Sequence, residues 1–338
     1  MRPPLSDSGL KTGGTGRSRG VSLIELIVVI TISGIIAAVL GKIIVRQIQG
    51  YESQVRRAAL VDAAEMTVRR LGRDIRQALP NSVRVRDALG ATNSVSCSTA
   101  GAICSIEMLN TVDGARYRDG PGNIGHNHGP TQYRLRIPGT DADGFNIAGF
   151  FQNIPVPCTA ACSQYRLAIY NQGVAGADAY ADGDTSLPAP SSYVITRPNV
   201  TTFGIDLDGD NPCNPGGANS GVHDEDCIKP STSFNFRYAS PNQRVYIVDT
   251  PISYVCNAGP NGNITRYSSY AITAAQAATP VGATNTALLS TPVSACNISY
   301  SPGTNQRAGL VTIDITVTDA SSGEQVRLLH QVHVDNSP

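Results

Sequence analysis

The sequence predicts an α+β protein: a long N-terminal helix, membrane-spanning in its first half, packed on an antiparallel β-rich head with long disulfide-closed loops. Three observations carry this. An apolar run from Val21 to Gly41 passes without a break into an amphipathic helical pattern. The chain then turns to short alternating segments rich in Gly (33) and Pro (21), with only 6% aromatic residues and no Trp. All eight cysteines lie beyond residue 96.

Residues 1–20 hold Arg2, Lys11, Arg17 and Arg19 against a single acid, Asp7. Such a segment has nothing to pack with and reads as a leader. The run VSLIELIVVITISGIIAAVLG, residues 21–41, would extend about 31 Å as a helix, enough to cross a bilayer. Its one charge is Glu25. A carboxylate at the centre of a membrane helix costs roughly 3 kcal/mol on insertion scales, so Glu25 calls for a partner. No A-x-A signal-peptidase site follows the run, which continues into Lys42-Ile43-Ile44-Val45-Arg46.

Beyond Gly50, Leu60, Ala64, Val68, Leu71, Ile75 and Ala78 recur at steps of three and four, a helical stripe. Arg57, Asp62, Glu65, Arg69, Arg70, Arg73, Asp74 and Arg76 fill the remaining positions as a solvated face. Pro80 is expected to stop the helix near Leu79. The division expected is therefore 1–20 leader, 21–79 helix and 80–338 β-rich head. Strands are predicted at 82–86, 103–109, 132–137, 165–170, 193–196, 233–238, 244–248 and 252–256. The clearest pair is a hairpin of 310–318 with 325–334, where Val311, Ile313, Ile315 and Val317 alternate with polar residues. The stretch 257–292, rich in Ala and Thr, is expected to be a mobile loop.

Cys97, Cys104, Cys158, Cys162, Cys213, Cys227, Cys256 and Cys296 are even in number and include no CxxC pair. Disulfides in an oxidising compartment are the expected use. Spacing does not fix connectivity; 97–104, 158–162, 213–227 and 256–296 is the simplest set. Basic residues before and after the apolar run pull its orientation in opposite directions. The cysteines decide for a head on the oxidising, periplasmic side.

Asp206, Asp208 and Asp210 alternate around Gly209, a spacing that suits Ca²⁺, but position 217, where an EF-hand has its bidentate Glu, is Gly. Structural Ca²⁺ is the one cofactor considered. His126 and His128 alone leave a metal site half built. Formal net charge is zero, which removes the electrostatic footprint of a nucleic-acid binder. No GxSxG elbow, HExxH or Walker loop is found; the GxSxG string Gly16–Gly20 falls in the leader, not on a strand-to-helix turn. No catalytic residue and no small-molecule substrate are expected.

Arg19-Gly20-Val21-Ser22-Leu23-Ile24-Glu25-Leu26 resembles the type IV prepilin processing motif. The resemblance implies a type IV pilin-like fold, cleavage after Gly20 by a membrane prepilin peptidase and N-methylation of Val21. It also gives Glu25 a partner, the amino terminus of a neighbouring subunit in an apolar helix bundle. Val21 departs from the Phe or Met usual there. Leu71–Val85, Gly114–Arg118 and Leu328–Asn336 are similar to MshO-type minor pilins of mannose-sensitive haemagglutinin (MSHA) pili, relatives of the J-type minor pseudopilins of type II secretion. That likeness implies an initiating or tip complex, with other minor and major pilins and the inner membrane as partners.

Overall fold

The computed structural model describes residues 20–86, 96–97, 103–118, 134–142, 144–158, 162–207, 211–214, 223–303, 308–334 and 336, with only the backbone at residues 96, 205–207, 211–214, 223 and 224. Contacts divide the chain into two units, Met1–Val55 and Arg56–Pro338.

Helix α1 runs from Leu23 to Arg76. In the first unit every described residue from Gly20 to Glu52 is exposed. In the second unit the stripe Leu60, Ala64, Val68, Leu71 and Ile75 is buried. It packs on Ile106, Tyr254, Ile313, Ile315 and Val332 in one apolar core. Gly72 faces the same sheet: a Cβ there would meet Val332 at an ordinary contact of 3.4 Å. Asp74, also buried, accepts hydrogen bonds from Tyr254 Oη at 2.7 Å and Arg266 Nε at 2.6 Å. Burial, with Asp74 alongside, pushes the Tyr254 phenol well up. The helix ends three residues before the expected Leu79. Gln77 and Leu79 exchange backbone hydrogen bonds with Thr111 and Leu109, so strand-like pairing draws the chain off the helical path before Pro80 is reached.

The strands are β1 (Arg84–Arg86), β2 (Ser96–Cys97), β3 (Ile103–Arg116), β4 (Phe145–Asn146), β5 (Arg166–Ala168), β6 (Thr201–Leu207), β7 (Asn211–Asn214), β8 (His223–Pro230), β9 (Arg244–Asn257), β10 (Asn263–Ser268), β11 (Asn285–Ser290), β12 (Val293–Ser301), β13 (Gly309–Thr318) and β14 (Gln325–Val334), with a short helix α2 (Ala179–Gly183) after β5. They form a six-stranded sheet, β1-β3-β9-β10-β11 with β5 also on β9, and two four-stranded sheets, β14-β13-β12-β2 and β4-β8-β6-β7. Every ladder between these strands is antiparallel.

The long pair β3 and β9 joins two parts of the head. Their 103–109 and 251–257 halves serve the core under α1. Val245 and Ile247, nearer the start of β9, belong to a second core with Phe145, Phe203, Phe234 and Phe236. The segment between Arg116 and Arg244, which are paired across the two strands, is thus a long excursion from one hairpin.

Several expectations are corrected. The predicted 244–248 and 252–256 strands are one strand, β9. Residues 193–196 and 233–238 make isolated bridges rather than strands, and the described part of 132–137, from Arg134, is irregular. The stretch 257–292 is no free loop. It supplies β10 and β11, and its intervening turn is clamped: Arg84 donates to Thr273 O at 2.9 Å and to Ala274 O at 2.7 Å. Tyr270 and Gln276 of the same turn reach Glu107 and Ser105 of β3.

Candidate functional site: the start of the N-terminal helix

Sixteen large aliphatic side chains between Val21 and Val45 are exposed, from 48% at Val28 to 77% at Leu23. At about 1.5–3 kcal/mol for each large side chain, leaving them in water would cost tens of kcal/mol. The helix is long and apolar enough to cross a membrane, and a bilayer or a bundle of like helices is the environment that satisfies it.

Gly20, Val21 and Ser22 precede α1 and are not helical. Val21 is 68% exposed. Ser22 Oγ accepts from Glu25 N at 3.2 Å, and Ser22 O accepts from Leu26 N at 3.1 Å. Ser22 is therefore the N-cap, satisfying one of the amides that a helix start leaves free. Glu25 stands in the first turn, where the positive end of the helix dipole favours a carboxylate by about 0.3–1 kcal/mol. Gly20, Val21 and Glu25 thus lie within one short segment at the helix start. Ser22 is the residue that the pattern reading passed over, although Ser-x-x-Glu before an apolar run is a capping-box signature.

The other candidates sit in the head. Disulfides join Cys97 to Cys104, Cys158 to Cys162 and Cys256 to Cys296. Cys227 is also disulfide-bonded, and the Cys213 side chain lies outside those described. Asp206 is placed in β6 by its backbone alone, and Asp208 and Asp210 lie outside the described residues, as do His126 and His128. Of the acids that follow, Glu225 pairs with Arg118 and Asp226 accepts from Phe151 N at 2.6 Å. Asp141 binds the amides of Arg136 and Gly144. These carboxylates fasten loops. Among the described residues no cluster of three or more His, Cys, Asp or Glu is placed to hold a metal.

Residues 15–41 match the family described as Prokaryotic N-terminal methylation motif. That match indicates a type IV pilin- or pseudopilin-type N-terminal segment, of the kind that prepilin peptidase processes. No curated protein and no solved structure matches the chain.

Proposed function

We propose that the chain is a minor pilin of the MshO type, cut after Gly20, N-methylated at Val21 and built into an MSHA-type pilus at its initiating or tip complex. Before assembly it sits in the inner membrane as a single-pass protein, residues 21–41 in the bilayer and the head from residue 80 in the periplasm. Its partners are prepilin peptidase and other minor and major pilins. It acts as a structural subunit with no small-molecule substrate and no nucleic acid, and Ca²⁺ at Asp206, Asp208 and Asp210 is its one candidate ligand.

The observation that carries this reading is a single carboxylate, Glu25, in the first turn of an otherwise apolar and wholly exposed helix start. A charge in hydrocarbon is tolerable when paired. Cleavage between Gly20 and Val21 creates a positive amine of the kind that a neighbouring subunit can bring to it. Glu25→Val should leave membrane insertion intact and reduce recovery of the subunit in sheared filaments. Recovery equal to wild type would refute the pairing role.

The motif serves J-type pseudopilins equally, and a tip adhesin would share it too. Deleting the gene separates the three. Loss of surface pili supports pilus priming, loss of protein secretion with pili intact supports the pseudopilin, and normal piliation without attachment supports the adhesin.

A further inference from the structure

We propose that Ser22 positions the processing site: by capping α1 it holds the Gly20–Val21 peptide bond outside the helix, where a peptidase can take it up as extended chain. The inference rests on the reading that the chain is cut after Gly20 and adds the residue that presents the bond. Hydrolysis there adds one water, leaving a carboxylate on Gly20 and an amine on Val21.

The geometry is local. The helix begins at Leu23, directly after the cap. Gly20 and Val21 are exposed, and a Cβ at Gly20 would meet nothing within 4 Å. Among the described residues nothing packs against the bond, and the local preferences of the chain decide whether it is helical. A helix start needs an acceptor for its free amides, the more so beside hydrocarbon. The nearest side-chain hydroxyls on either side of Ser22 are Ser18, one turn earlier, and Thr31. Moving the start forward to Thr31 would unwind two turns of apolar chain and strip backbone groups of their partners in the membrane, which is prohibitive. Without Ser22 the start moves backward to Ser18, and Gly20–Val21 falls inside the first turn. Gly20 resists that move because glycine is a poor helix former. Ser22 and Gly20 thus act together to keep the bond open. When cleavage of a transiently open segment is slower than its closing, the rate follows the open population.

The test uses the full-length chain in detergent with a prepilin peptidase, following leader release by mass spectrometry for wild type, Ser22→Ala, Ser22→Thr and Ser22→Asn. Ser22→Ala should be cut more slowly, by at most about five-fold, the limit set by the ~1 kcal/mol of a typical N-cap. Thr and Asn, which also cap, should stay within about two-fold of wild type. Amide exchange on the uncut chain should show protection gained at Leu23 and Ile24, whose amides a start at Ser18 would bond within the helix, in the Ala variant alone. Equal rates in all four chains, with wild type cut after Gly20, would overturn the inference while leaving the processing reading in place. Thr and Asn as slow as Ala, or no change in protection, would also overturn it. A wild-type chain cut elsewhere would remove both.

Discussion

Arg84 and Glu107 face each other inside the head, 7% and 2% exposed, and neither can turn to water. Arg84 Nε donates to Glu107 Oε2 at 2.7 Å, and the guanidinium lies 3.5 Å from the centre of the Tyr180 ring. Tyr270 Oη donates to the other carboxylate oxygen at 2.9 Å. Burial raises the Glu107 carboxyl above its ordinary 4.5, while Arg84 pulls it back. A raised acid favours the folded state fully below its unfolded value and loses that contribution as pH climbs through the folded one. Arg84→Met removes the lowering influence and strands the charge. Its cost should reach about 3–5 kcal/mol at neutral pH and shrink as acid protonates Glu107. Urea midpoints of variant and wild type at both pH values check this; a difference independent of pH would contradict it.

Helix α1 has one sequence signature for each of two environments, and both were legible from periodicity. The apolar run named the exposed span, and the stripe Leu60–Ile75 named the buried face. Leu71→Ala should cost about 2–5 kcal/mol by leaving a cavity under the helix, read as a lowered denaturation midpoint with leader cleavage unchanged. The hairpin of β13 and β14 was equally legible, because Val311, Ile313, Ile315 and Val317 alternate and all four are buried. The strands of 257–292 were not. Their sequences, NITRYS and NTALLS, show no apolar alternation, and backbone pairing of β10 with β9 and of β11 with β10 rather than side-chain pattern makes them strands. The clamp on the turn between them comes from Arg84, more than 180 residues away in sequence, a distance that no local pattern spans. At the site, Gly20 and Glu25 stood out by residue type. Ser22 is recognised by the bond it accepts.

Across the whole head, the disulfides should matter in proportion to the loops they close. In the chain-entropy account the Cys256–Cys296 link, spanning 40 residues, is worth about 4 kcal/mol, and the Cys158–Cys162 link, spanning 4, about 2. Paired Cys→Ala variants should therefore lose stability in that order in urea titrations, and the reverse order would contradict the account. The two links also serve different cores, the first beneath α1 and the second among the aromatic side chains of the excursion. The helix start combines an exposed apolar span, a lone carboxylate and a glycine just ahead of the cap, and the proposed processing accounts for all three. The most direct measurement is the mass and sequence of the amino terminus of the subunit recovered from sheared filaments. The account predicts a chain that begins at Val21 with one methyl group on its amine. A chain that keeps Arg19 and Gly20, or that starts beyond Glu25, would contradict it.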